Sequence, residues 1–176
     1  LGRVSKNKFV YCISTVYVEV IRGTPILAQI LFIYFGLSDL MGINMDKITA
    51  SILAIALNSG AYIAEVVRGS IQSIDKGQKE AGRSLGLTAT QTMVYIIWPQ
   101  AFKRMIPPLG NQFIISLKDT SLFSVIAVGE IVYQGRQYGS TTFTYFEPLL
   151  MLCLTYLAIT IPAMMLLRRL ERKLDV

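Results

Sequence analysis

The sequence contains no histidine, and only two cysteines, Cys12 and Cys153, in 176 residues. Without imidazole, no Ser/His/Asp or Cys/His set can be assembled, and a proton relay would depend on carboxylates alone. The two cysteines lack metal-ligand spacing and sit in apolar surroundings, which disfavours a zinc site or a disulfide framework and predicts buried thiols. A nucleotide-binding loop of the G-x-x-x-x-G-K-[ST] type is also missing. No catalytic residue, metal ligand or cofactor site is therefore assigned to this chain. Charge is scarce as well: Asp, Glu, Lys and Arg make up 16% of residues against 53% hydrophobic, with a mean hydropathy of +0.51. That balance is unusual for a soluble protein and points to a membrane.

The length suits one domain, residues 1–176. The chain opens at Leu1 with no recognisable signal peptide, which reads as a trimmed chain whose upstream helix, if present, is out of view. Phe9 to Ile21 is apolar but short and carries Glu19. At Arg22-Gly-Thr-Pro25 the helix is interrupted, with Thr24 placed as an N-cap and Pro25 as the first helical residue. Ile26 to Gly42 is then long enough, at about 25 Å of helix, for a hydrocarbon core of about 30 Å. A second span is expected from Ile48 to Val67, rich in small residues such as Ala50, Ala54 and Ala61 that let helices approach closely. Pro107-Pro108 is expected to start a third span reaching Val128, and Pro148 a fourth ending near Leu167. A polar, tyrosine-rich connection, Gly129 to Glu147, separates the last two.

Basic residues set the orientation. Three precede Phe9, six lie from Arg68 to Arg104 and four follow Leu167, while the two opposite loops hold only Lys47 and Arg136. The positive-inside rule then puts both ends and the polar insert 71–101 in the cytoplasm. The expected fold class is all-α: a polytopic helical bundle with four spans in this chain. The excess of basic charge is an orientation signal, which removes the main reason to expect nucleic acid as a partner; the lipid bilayer is the expected one.

Three charged residues fall at or near bilayer depth: Glu65, Lys118 and Asp119. At about 3 kcal/mol each they would cost roughly 9 kcal/mol facing lipid, so they must face a cavity, one another or a partner. A buried Lys118–Glu65 pair is one reading. A substrate path is the other, because Asn58, Tyr62 and Glu65 fall on one helical face, where an amide, a phenol and a carboxylate can hold a polar solute. Ser121 joins this candidate substrate-binding set with Lys118 and Asp119. Around these residues the helix can break into a fresh half-helix whose N–H groups attract an anion, or continue with its hydroxyls bonded back to carbonyls.

The insert reads as two short helices hinged at a glycine. Asp75 with Gln78, and Thr88 with Gln91, offer capping boxes, and Gly86 suits the left-handed turn between them. Pro99 is expected to disrupt the far end of the second helix. Lys76, Lys79 and Arg83 line one side of the first. A helix, turn and helix could read DNA, but 89–97 offers mainly apolar side chains, which argues against a membrane-anchored regulator.

Glu80-Ala81-Gly82, Gly86, Ile96 and Pro99 resemble the EAA loop of binding-protein-dependent ABC importer permeases, with spacing kept throughout; Gly82 stands for the second alanine and Trp98 for the leucine before the proline. Tyr17-Val-Glu-Val-Ile-Arg-Gly-Thr-Pro25 and Leu117-Lys-Asp-Thr-Ser-Leu122 are similar to permeases for polar amino acids. The resemblance implies a type I ABC importer permease-like bundle in a bacterial inner membrane, whose first span would lie upstream of Leu1. It implies an ATPase-coupling role for Lys79, Glu80, Ala81, Gly82, Arg83 and Gly86. The implied partners are two copies of a cytoplasmic ATPase carrying the ATP and Mg, a second permease chain (identical or a sibling) and an extracytoplasmic binding protein.

Two carboxylates, Glu65 and Asp119, against one Lys118 lean the expected cargo toward basic L-amino acids such as arginine, lysine or histidine. If Glu65 and Lys118 neutralise each other, glutamine or another polar amino acid is the alternative. A channel or secondary transporter without an ATPase would explain the intramembrane charges equally well but leaves the capped insert without a task.

Overall fold

In the computed structural model, which describes residues 2–4 and 7–174, nearly every described residue is helical. Lys6, one of the amino-terminal basic set, lies outside the described residues. Helix α1 (Lys8–Gly23) starts where the Asn7 side chain accepts from the Phe9 and Val10 N–H groups. It meets α2 (Ile26–Met41) at 105°. Pro25 precedes the first helical residue instead of occupying it, and offers no side-chain cap. The Thr24 hydroxyl instead donates back to the Val20 carbonyl at 2.8 Å, so it closes α1 and does not cap α2.

Helix α3 (Lys47–Gln72) is capped by Asp46, whose carboxylate accepts from Ile48 and Thr49 N–H. Its buried residues include Ala50, Ser51, Ala54, Asn58 and Ala61, a stripe of small side chains along one face. Helix α6 (Trp98–Asp119) packs on α3, while Ala50 and Ala54 of the stripe meet α2 and the segment after α6. One hydrophobic cluster joins Ile30, Ile33, Ala50, Ala54, Phe123 and Ile126; a second joins Ile74, Ile97, Ala101 and Met105 beneath the polar insert.

Pro107 and Pro108 lie inside α6, so the span does not begin there. Buried Met105 on one side and buried Gln112 and Ile114 on the other hold that helix against its neighbours, and this packing overrides the local preference of residues before proline. After Asp119 the chain tightens into a 3-10 segment, Thr120–Ile126, and turns at left-handed Ala127 (φ 58). Lys47 Nζ donates to the Ala127 carbonyl at 2.6 Å, tying this turn to the start of α3.

The polar connection from Gly129 to Glu147 contains a helix that the sequence reading did not assign, α7 (Ile131–Thr142). Glu130 caps it, accepting from Val132 and Tyr133 N–H at 2.7 and 2.6 Å, a signal hidden by the absence of a long apolar run. The last helix, α8 (Phe146–Leu174), runs through Pro162.

Helices α3 and α8 are each long and apolar enough to cross a membrane, and the bent α1–α2 pair passes as a third span. The α6 helix with its 3-10 extension carries charges at both ends, Lys103 and Arg104 at one and Lys118 and Asp119 at the other. Exposed apolar side chains cover α8, among them Leu150, Leu154 and Leu157, as expected where the solvent is lipid. The same inversion corrects the thiols: Cys12 and Cys153 are exposed, because an apolar neighbourhood in such a chain marks the lipid side as readily as the core.

Candidate functional site

The candidate residues fall in two regions, the polar insert and the α1–α2 elbow. In the insert, α4 (Lys76–Ser84) begins with the Asp75 carboxylate accepting from Gly77 N–H at 2.7 Å. The reciprocal half of this capping box is missing, since the Gln78 side chain accepts instead from Gln100 Nε2 at 3.1 Å. The helix ends in a Schellman turn: Leu87 N–H donates to Gly82 O, and Gly86 N–H to Arg83 O, with Gly86 at φ +83. Then α5 (Ala89–Thr92) opens on a complete capping box between Thr88 and Gln91.

This second helix is not short. A π turn, Met93–Ile97, joins it to α6, and Trp98 N–H donates to Met93 O just before Pro99. The wider turn accommodates the proline inside a continuing helix, so the insert is joined directly to α6. Lys79, Glu80, Ala81 and Arg83 are exposed, whereas Gly82 is buried. A Cβ on Gly82 would stand 2.7 Å from Thr92 Cγ2 and 2.8 Å from Ile96 Cδ1. Glycine at this position therefore allows α4 to lie close on the following helix. Its intrinsic cost to the helix, roughly 1 kcal/mol, is offset by that contact. What remains outward is a charged, two-helix surface.

The second region is a cavity of about 520 Å³ lined by the elbow residues 22–26 with Asn58, Tyr62, Gln112, Ile115 and Asp119. Gln29 fixes its wall. The Gln29 Nε2 group donates to Ile21 O (2.7 Å) and to Thr24 O and Oγ1, while its Oε1 accepts from Asn58 Nδ2 at 3.0 Å. A single amide thus binds the broken helix to α3. Tyr17 adds a second tie, donating to Leu57 O at 2.6 Å where Gly60 leaves room for its phenol. The opposite wall is held by a Ser59–Ser116 hydrogen bond of 3.0 Å, with Gln112 donating to Ser116 Oγ at 3.3 Å.

Of the six candidate substrate residues, the cavity brings together Asn58, Tyr62 and Asp119. Lys118 is exposed beside it, and Ser121 follows in the 3-10 segment, where the Ser124 hydroxyl donates to its carbonyl. No fresh half-helix starts here. The helix tightens, and the Thr120 hydroxyl donates to Leu117 O at 2.7 Å.

Glu65 does not pair with Lys118. Both of its oxygens accept from Arg68 Nε at 3.0 Å, Arg68 Nη2 adds a third bond, Arg3 Nη1 stands at 3.3 Å and Arg22 Nη1 at 3.7 Å. It is the shared anion of three arginines just beyond the cavity. Sequence reading passed over Arg22, Gln29 and Gln112. Arg22 belonged to a stretch read as a helix interruption and as part of the resemblance to amino-acid permeases, with no role given to its side chain, and the two glutamines sat in apolar runs, where a buried amide is the available signal.

All 176 residues match the family model described as binding-protein-dependent transport system inner membrane component. The glutamine transport system permease protein GlnP of Escherichia coli (strain K12) is 48% identical over 165 residues, covering 93% of this chain and 75% of that protein. The arginine transport system permease protein ArtQ of Bacillus subtilis (strain 168) is 38% identical over 174 residues, covering 99% and 80%. Among solved structures, the crystal structure of an amino acid ABC transporter with histidines superposes with a TM-score of 0.94 at 42% identity, covering 98% of this chain and 80% of that one.

Proposed function

This chain belongs to the family of binding-protein-dependent transport system inner membrane components, and we propose that it forms the translocation path of an ATP-driven importer for polar L-amino acids. It is a membrane permease subunit; ATP hydrolysis is the task of a separate ATPase subunit, and an extracytoplasmic binding protein delivers the cargo. The observation that carries the cargo reading is the polar cavity at the elbow, where Asn58, Tyr62, Gln112 and Asp119 converge within a chain that otherwise faces lipid. The capped, rigid insert favours an ATPase-driven cycle over a stand-alone channel. A lever continuous with α6 turns ATPase closure into rocking of the membrane helices. In this reading Lys79, Glu80, Ala81, Arg83 and the Gly82–Gly86 turn meet the ATPase, two copies of which serve two permease chains, identical or sibling. Both ends of the chain face the cytoplasm.

For the cargo, the geometry supports a net-neutral polar amino acid such as glutamine best. The case for a basic cargo rested on two free carboxylates, and Glu65 is committed to its arginines. Asp119 alone remains for an α-ammonium group. A basic cargo stays as the second reading because the Asp119 carboxylate has no ion-pair partner among the described residues. The test is uptake of labelled glutamine and arginine into proteoliposomes holding the whole complex. Asp119→Asn is expected to lower uptake of the true cargo about 10-fold, the scale of one charged hydrogen bond, with ATPase association unchanged. Undiminished uptake of both would refute the cavity reading.

A further inference from the structure

Arg22 is a cation without a full set of partners at the edge of the cavity. Among the described residues none of its guanidinium N–H groups donates a hydrogen bond, and its approach to Glu65, at 3.7 Å, is the longest of that carboxylate's contacts. Glu65 is satisfied without it, by the forked contact from Arg68 and the approach of Arg3. What orients Arg22 is the Tyr62 ring, with the guanidinium carbon 5.3 Å from its centroid. Both residues line the cavity.

The bland account is that Arg22, in the last turn of α1, merely complements the helix dipole. That does not explain its place at the elbow, on a cavity wall shared with Asp119. These two are the charged groups of that lining, and they are of opposite sign. A free amino acid at neutral pH also carries one charge of each sign.

We infer that Arg22 is the cargo's carboxylate anchor: its planar guanidinium takes the α-carboxylate while Asp119 takes the α-ammonium, leaving Asn58 and Gln112 to the side chain. This inference rests on the cavity being the cargo path. In the empty state the Tyr62 ring holds the Arg22 guanidinium, with Glu65 at 3.7 Å, and its hydrogen-bond donors are left for the cargo. The site then selects for the zwitterionic backbone common to all amino acids, and side-chain discrimination falls to the amides.

The test uses the purified permease–ATPase complex without its binding protein. Calorimetric titration compares L-glutamine with its decarboxylated analogue, γ-aminobutyramide, and L-arginine with agmatine. The wild-type complex is expected to prefer the amino acid over its analogue at least about 10-fold for the true cargo. Arg22→Gln should bring that ratio to about one, and Arg22→Lys, which keeps the charge but loses the fork, should keep part of it. Asp119→Asn should weaken both members of a pair and leave the ratio intact. A wild type that binds both members of a pair equally, or an Arg22→Gln complex that keeps the full preference, overturns the anchor while leaving the cavity reading in place. A wild type that binds none of the four compounds overturns both.

Discussion

The insert and the cavity are both polar regions in an apolar chain, but they are built in opposite ways. From Asp75 to Pro99 the structure is set by neighbours in sequence: a cap on Gly77, a Schellman turn at Gly86 and a capping box from Thr88 to Gln91. At the elbow the deciding contacts span long stretches of chain: Gln29 to Asn58, Tyr17 to Leu57 and Ser59 to Ser116. The difference matches their tasks. A part that transmits force must be stiff by itself, whereas a part that opens and closes around cargo must be made of contacts between helices that can move apart.

That contrast predicts that damage to one region leaves the other intact. The largest effect is expected from Gly86→Val. A Cβ there meets no neighbour within 4 Å, so the cost comes from the left-handed backbone, about 1–2 kcal/mol or more for a β-branched residue at φ +83. ATPase co-purification and uptake should fall on the order of 100-fold by misaligning the lever, while cargo binding by titration stays at the wild-type level. Equal loss of cargo binding would break the distinction between the two regions.

The smallest effect sharpens it within the insert. Gly82→Ala adds helix propensity of roughly 1 kcal/mol but places a Cβ 2.7 Å from Thr92 Cγ2. Overpacking should win, with a net loss below about 1 kcal/mol in thermal unfolding of the complex. Adding Thr92→Ser, which removes that methyl, should turn the loss into a gain. A stabilised single variant would mean that α4 is not pressed on the following helix.

The same contrast explains what the sequence made legible. The helical class, the apolar spans and the capped insert depend on periodicity, composition and spacing, and Gly86 and the Thr88–Gln91 box lie where those signals place them. Prolines misled: Pro99 is accommodated by the π turn just before it, which no residue preference announces, and Pro107 and Pro108 lie inside a helix held by packing on α3, which is not local. Helix α7 was missed since its start signal is one carboxylate, Glu130, after a glycine. In the cavity, Asn58, Tyr62 and Asp119 were found by asking what a polar residue does at bilayer depth. Glu65 met the same criterion, yet its partners come from three separate places, Arg3, Arg22 and Arg68. No spacing rule reports such a convergence.

The central claim is that the elbow cavity is a water-accessible path that cargo occupies. Ile115 lines it, whereas Ile52, also exposed, lies on α3 outside that lining. With Cys12 and Cys153 replaced by serine, a single cysteine is placed at Ile115 or at Ile52 in the whole complex, and its reaction with a water-soluble, membrane-impermeant maleimide is timed. The account predicts that Ile115→Cys reacts and is slowed several-fold by saturating cargo, while Ile52→Cys, facing lipid, resists with or without it. An Ile115→Cys complex that stays unlabelled, or reacts at a rate indifferent to cargo, would contradict it.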